Sequence, residues 1–339
     1  MSLRSIVVGL VAAFVTAETL GACNQPAPSP RGWQVVEHLR TSDLAGPVTL
    51  GGRWAFVPNM SEGTVTQIDR ASGKTVATID VADPQTLRTQ GCAPDSVHAY
   101  YSGSWGWRAC DTPYAIAWDG SELLALDDGS RQLVRVDPAR HRVTARITLP
   151  GTGWAIAADK TTAWISGWDD DSLYAVDLQS GYVTATVRGL DQGPSTLAIG
   201  FGSVWVVCAR GVGRLDRIDP SSLQVVNRYP IEWWSNAVAA SDAIYVRGTN
   251  GGDISRVDPT TGAIVWSQPG PGFLGRFGID QMSITNDGIW LSGPSTARID
   301  EQTGKIADRV LVPSMTVAAA GNELWVVELD GSVAELRRT

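Results

Sequence analysis

One phrase of apolar and polar positions recurs along the chain. It opens with a short run of small apolar residues and continues with an apolar run around a large residue, usually Trp. An aliphatic residue followed by Asp comes next, then a turn of Pro, Ser, Thr or Gly, and a β-branched run closes the unit. The Asp copies are Asp69, Asp137, Asp177, Asp219, Asp258 and Asp300, and from Asp137 onward they lie 40, 42, 39 and 42 residues apart. That is the length of one four-stranded propeller blade. The large residues are read as Trp54, Leu124, Trp164, Trp205, Tyr245, Trp290 and Trp325. Seven small-residue runs precede them, among them Ala155-Ile156-Ala157, Leu197-Ala198-Ile199 and Ala237-Val238-Ala239. The pattern predicts an all-β, seven-bladed β-propeller of four-stranded blades, with strand a innermost and strand d outermost.

Strands b and c are apolar on both sides because neighbouring blades cover both faces. The Asp between strands c and d is read as structural. Its carboxylate accepts turn amide protons, and the following Gly takes a positive φ, as in Asp258-Pro259-Thr260-Thr261-Gly262. The last unit has no strand d of its own before Thr339. Gln34-Val35-Val36-Glu37-His38-Leu39, however, matches the strand d Gln224-Val225-Val226-Asn227-Arg228-Tyr229. The N-terminal strand is therefore expected to complete blade seven and remove its open edge.

The gap between Asp69 and Asp137 is longer than the repeat, which places an insertion at about 82–112, between blades one and two. Cys92 and Cys110 lie within it, flanking its Gly-, Ser- and aromatic-rich stretch, and are expected to pair, whereas Cys208, inside Val204-Trp205-Val206-Val207-Cys208, reads as a buried core thiol. Ahead of the repeat, Arg4 and the apolar run Ile6 to Val15 read as an export signal too short to span a bilayer. Leu20-Gly21-Ala22-Cys23 resembles the lipobox of bacterial lipoproteins. The resemblance implies a signal peptide over 1–22, lipidation of Cys23, a tether over 23–32 and a propeller over 33–339. The protein would then sit lipid-anchored on the extracytoplasmic face of the cell membrane, as a monomer.

Composition narrows the partners. Apolar residues make up 43% of the chain and charged residues 18%, enough for a sizeable core. A net charge of -8 with no basic run excludes a nucleic-acid-binding role. There is no CxxC, HExxH, phosphate loop or Gly-x-Ser-x-Gly, and no metal or other cofactor is expected.

The repeat, in phrases such as Val204-Trp205-Val206 and Ile68-Asp69 through Ser72-Gly73-Lys74-Thr75-Val76-Ala77, resembles the YVTN and streptogramin-lyase-like group of bacterial seven-bladed propellers. The lyase branch works with histidine, glutamate and a magnesium ion at one channel mouth. Here His38 lies on the closing strand, His141 on the outer turn after Asp137, and His98 alone in the insertion. The alternative of a metal-assisted lyase or lactonase-type hydrolase thus lacks its acid–base pair. A second alternative is a quinoprotein-like assembly scaffold, because Asp258 to Gly262 followed by Trp266 resembles the tryptophan-docking repeat, in one blade only.

In a propeller the d-to-a and b-to-c connections emerge on one face, around the channel mouth. That face collects Trp105, Trp107, Trp154, Trp168, Trp233 and Trp234, with Asp169, Asp170 and Asp171 beside them and Asn236 opening an inner strand. These aromatics read as connection residues and as a binding surface for a glycan, a peptide or another envelope protein. The acidic run lacks the alternate spacing and glycine of a calcium loop.

Overall fold

The recurring phrase folds as its period requires. A computed structural model describes residues 32–42, 45–82, 113–232, 235–248, 252–272 and 282–339, and these form seven antiparallel four-stranded sheets. Blades one to six run over 49–80, 113–148, 153–187, 194–230, 235–268 and 282–310. Blade seven takes its strands a, b and c from Thr316–Ala320, Glu323–Val327 and Ser332–Arg338 and its strand d from Trp33–Arg40. The insertion and both of its cysteines lie outside the described residues, as do Cys23 and the whole N-terminal segment before residue 32.

The closing strand keeps the register of a native strand d. In blade four the pairing of strands c and d shifts between Arg217 and Ile218, passing over Val226. In blade seven the shift passes over Val36, with Val35 opposite Leu336 and Glu37 opposite Glu335. The same β-bulge recurs in every blade, so the segment that arrives from the chain start reproduces even the irregularity of the repeat. Trp33 anchors its first turn. Its ring is buried edge-on against Trp290 at 5.2 Å, and its Nε1 donates to Asp308 at 3.1 Å.

Burial concentrates on strands b and c. Trp205, Trp290 and Trp325 are among the largest fully buried side chains, each in strand b opposite the residue two before the Asp position. Blade one departs from the sequence reading here. The structurally equivalent residue is Phe56, opposite Gln67, while Trp54 lies two residues earlier, opposite Asp69. Trp54 is half-buried, with the Arg53 guanidinium over its ring at 4.6 Å. A two-residue period puts both rings on one side of the strand, and the larger ring took the assignment that pairing gives to the smaller.

The residue two before the Asp position also ties blades together. Gln67 donates to the Pro138 carbonyl at 2.9 Å, Arg135 to the Leu178 carbonyl at 2.5 Å, and Arg217 to the Pro259 carbonyl at 3.1 Å. Each acceptor directly follows the Asp of the next blade. At the closure the tie comes from a different position: Arg337, two residues after Glu335, donates to the Arg70 carbonyl at 2.6 Å and links blade seven to blade one.

The Asp turns do what their chemistry predicts. Asp258 accepts from the amides of Thr260 and Thr261 at 2.8 and 2.7 Å, and Asp300 from Thr303 at 2.8 Å. Those hydrogen bonds hold the Asp258 carboxyl below the usual aspartate range, and the Thr303 hydroxyl, donating at 2.7 Å, does the same for Asp300 together with the Thr303 amide. The positive-φ position is Gly262 in blade five, where an added Cβ would fall 1.8 Å from the Tyr229 ring of blade four. Blades two and four place His141 and Leu223 in that strained conformation instead.

Candidate functional site at the channel mouth

Strand order sends the b-to-c and d-to-a connections to one face and the a-to-b and c-to-d turns to the other. At the first face the innermost strands of blades two to five are irregular. Pairing between strands a and b shifts between Pro113 and Ala115, Gly153 and Ala155, Pro194 and Leu197, and Ser235 and Ala237. The residues passed over are Tyr114, Trp154, Ser195 with Thr196, and Asn236. Strand a of blades one, six and seven pairs without a shift. Four consecutive blades thus carry a bulge at the channel mouth, where an extra residue re-aims the chain.

A buried hydroxyl makes one of these bulges tolerable. Ser166 in strand b of blade three accepts from the Ala155 amide at 3.0 Å and donates to the Ser195 carbonyl of blade four at 2.8 Å. Two backbone groups displaced from the ladder are satisfied by one side chain that is itself fully buried. Ser195 in turn donates its hydroxyl to the Val207 carbonyl at 3.1 Å.

On this base stands an aromatic pair. Trp154 and Trp168 stack with centroids 5.1 Å apart and planes 29° from parallel. Trp154 is the bulged residue of a strand, Gly153–Ala158, and not of a connection as the sequence reading had it. Trp168 follows strand b (Thr162–Gly167) in the b-to-c turn. The Arg210 guanidinium of blade four lies over Trp168 at 5.3 Å, donates to the Trp168 carbonyl at 3.0 Å, and meets Asp171 at 2.5 Å. Asp171 also accepts from the Gly193 amide at 2.8 Å. The stack is therefore braced across the blade three to blade four boundary by a cation–π contact and a charge-assisted hydrogen bond. Both rings stay half-buried and Asp169 and Asp170 stay exposed at their side.

Buried charge gathers near the same face. Asp127 ends strand b of blade two, 3.9 Å from Arg146, and Arg247 of blade five donates to the Gly272 and Ser292 carbonyls at 2.8 and 2.7 Å. In blade four, Asp216 is fully buried; its Oδ2 accepts from the Asp191 amide at 2.9 Å, and Arg228 lies 3.7 Å from its Oδ1. Burial pushes the Asp216 carboxyl up to about 6. Burial, with the Asp216 charge behind it, pushes the Cys208 thiol far above its ordinary range, so Cys208 is an inert core thiol as its sequence context implied.

Comparison with known proteins adds architecture. No protein-family model matches the chain, and no curated protein matches it. Among solved structures, the hydrazine synthase of Kuenenia stuttgartiensis superimposes with a TM-score of 0.68 over 89% of this chain and 98% of that one, at 15% identity. At that identity the likeness shows a shared propeller fold and no shared activity. Matches to solved structures number 1581 chains, which makes the fold too widespread to select a function.

Of the residues singled out by sequence, the structure brings Trp154 and Trp168 together. Trp105, Trp107, Trp233 and Trp234 lie outside the described residues, and Asn236 is placed by its backbone alone, at the bulge of blade five equivalent to Trp154. His141 sits in the c-to-d turn on the opposite face, its Nδ1 3.0 Å from Gln67 Oε1, and His38 is on the closing strand. Arg210, Tyr114, Thr196, Asp127, Asp216 and Arg247 were missed. Two of them left a signal, because Asp127 and Arg247 stand near the ends of otherwise apolar b strands, whereas Asp216 sits among the charged residues of Arg214–Asp219.

Proposed function

We propose that this protein is a membrane-anchored, extracytoplasmic propeller whose channel-mouth face is a binding platform for a glycan, a peptide or another envelope protein. The observation that carries the reading is the Trp154–Trp168 stack, pinned by Arg210 yet half-open to solvent. A braced aromatic face offers a large apolar contact with little side-chain entropy left to lose, and the exposed carboxylates of Asp169 and Asp170 supply hydrogen-bond acceptors at its edge. Sugar rings and planar or aliphatic peptide side chains both match that chemistry. The anchor rests on Leu20-Gly21-Ala22-Cys23 and the export signal before it, and the phrase Ile68 to Ala77 supports a place among YVTN-like propellers.

The test is a titration of the purified protein with envelope glycans and envelope proteins, following intrinsic Trp fluorescence and the unfolding midpoint. One class is expected to shift both signals, and Trp168→Ala to weaken that response about tenfold or more while the far-ultraviolet circular dichroism is unchanged. No response to any of them, or an undiminished response in Trp168→Ala, overturns the platform.

A further inference from the structure

The face opposite the channel mouth carries a second feature, at the seam where blade seven meets blade one. A cleft of about 410 Å³ opens there between Gly52, Arg53, Arg70, Asn322, Glu323 and Arg337. Three arginines line it against one lining carboxylate, in a protein whose net charge is -8. The remaining counter-charges stand behind. Asp69 takes the Arg53 guanidinium and is 7% exposed where Arg53 is 70% exposed; Glu335 takes Arg337 at 2.6 Å and is 2% exposed where Arg337 is 43% exposed. Arg70 pairs with Glu323, and its Nε is buried with no hydrogen-bond partner. The carboxylates fix the three guanidiniums in place, Arg70 also donates to the Gly52 carbonyl at 2.5 Å, and all three arginines line the cleft. Planar forks held in this way suit the oxygens of a phosphate.

Chain geometry says which phosphate. The closing strand begins at this face: Trp33 pairs with Arg338 and Gln34 with Arg337, so the chain enters the ring beside the cleft. Cys23 is ten residues before Trp33, a reach of at most about 35 Å. On the reading of Cys23 as the lipid anchor, the seam faces the bilayer and the Trp154–Trp168 face points away from it.

We propose that the Arg53–Arg70–Arg337 cleft binds the phosphate of an anionic membrane lipid headgroup and so sets the orientation of the propeller on its membrane. Binding there bridges the first and last blades, and a ligand that prefers the closed ring stabilises it by mass action.

The exported, processed protein is reconstituted in vesicles of phosphatidylglycerol or of phosphatidylcholine, and its unfolding midpoint is followed. A parallel sample in neutral detergent receives inorganic phosphate against chloride of equal ionic strength. The midpoint is expected to be about 2 °C or more higher in phosphatidylglycerol. Arg53→Gln and Arg337→Gln are each expected to remove most of that difference, while Arg188→Gln, in the d-to-a connection on the opposite face, keeps it. Arg53→Gln guards the result if loss of the blade tie made by Arg337 unfolds the other variant. Equal midpoints in the two lipids, or an effect of Arg188→Gln as large as that of Arg53→Gln, overturns the proposal. A response to free phosphate with none to phosphatidylglycerol overturns the lipid assignment. Mass spectrometry of Cys23 in the same preparation shows an unacylated cysteine separately, and the detergent arm still reads the cleft.

Discussion

Blades two to five and the seam between blades seven and one are made from the same repeat but depart from it at opposite faces. In the arc, the departures lie at the channel mouth. Bulged inner strands carry Tyr114, Trp154, Ser195 with Thr196, and Asn236, and polar groups such as Ser166 and Asp216 are buried beneath. At the seam the inner strands are regular, and the unusual parts are a strand borrowed from the chain start and an arginine cleft on the far face. The difference teaches that the repeat itself supplies rigidity, while specific chemistry enters where one element of the repeat is altered and a neighbouring blade compensates. Ser166 reaching from blade three to Ser195 of blade four, and Arg210 reaching back from blade four to Trp168, are two such compensations.

Three perturbations sharpen the contrast. The largest effect belongs to the seam. Removing residues 33–40 strips strand d from blade seven and bares the row of backbone groups on Ser332–Arg338, and stability is expected to fall by more than about 4 kcal/mol with a gain in aggregation. Denaturant unfolding and light scattering read both. A variant that unfolds at the parent's midpoint would show that closure owes nothing to this strand.

Ser166→Ala acts on the arc. It leaves the Ala155 amide and the Ser195 carbonyl without their buried partner, at a cost of about 1 to 3 kcal/mol. Hydrogen exchange is expected to rise at Ala155 and around Ser195 and to stay unchanged at the closing strand. Equal loosening of both regions would mean the bulges are not locally supported.

The smallest effect is the pH response of Asp216. Its folded pKa, about 6, lies above the unfolded aspartate value, so its contribution is fully present below about pH 4 and is lost as pH rises through 6. Asp216→Asn keeps an acceptor for the Asp191 amide and removes the buried charge. At pH 7.5 it is expected to stabilise the protein by on the order of 1 to 2 kcal/mol, and at pH 4 by nearly nothing, as read from thermal unfolding at the two values. A stabilisation that is the same at both pH values would place the effect in packing and not in titration.

How much of this was legible in the sequence follows from which physics repeats. The Asp turns, the apolar b and c strands and the match of Gln34 to Leu39 with Gln224 to Tyr229 recur, and recurrence gave the blade number, the strand order and the closure. Phe56 was passed over because Trp54, on the same side of one strand, offers the larger ring; only pairing with Gln67 or Asp69 separates them. The inner-strand bulges leave no signature, since a bulge is a shift of register between two strands and not a pattern within either. The Trp154–Trp168 stack was half legible: both rings were assigned to the mouth, but the brace from Arg210, some forty residues on in the next blade, is purely tertiary. The seam cleft was illegible for the same reason, as Arg53, Arg70 and Arg337 meet only when the ring closes.

The central claim is that the mouth face around Trp154 and Trp168 is where this protein meets its ligand. The direct measurement is site-specific photo-crosslinking in intact cells, with the reactive residue at Asp169, exposed beside the stack, and separately at Tyr182, 72% exposed on the outer strand of blade three. The account predicts a discrete covalent adduct from position 169 that Trp168→Ala abolishes, and none from position 182. Adducts of equal yield from both positions, or none from position 169, would contradict it.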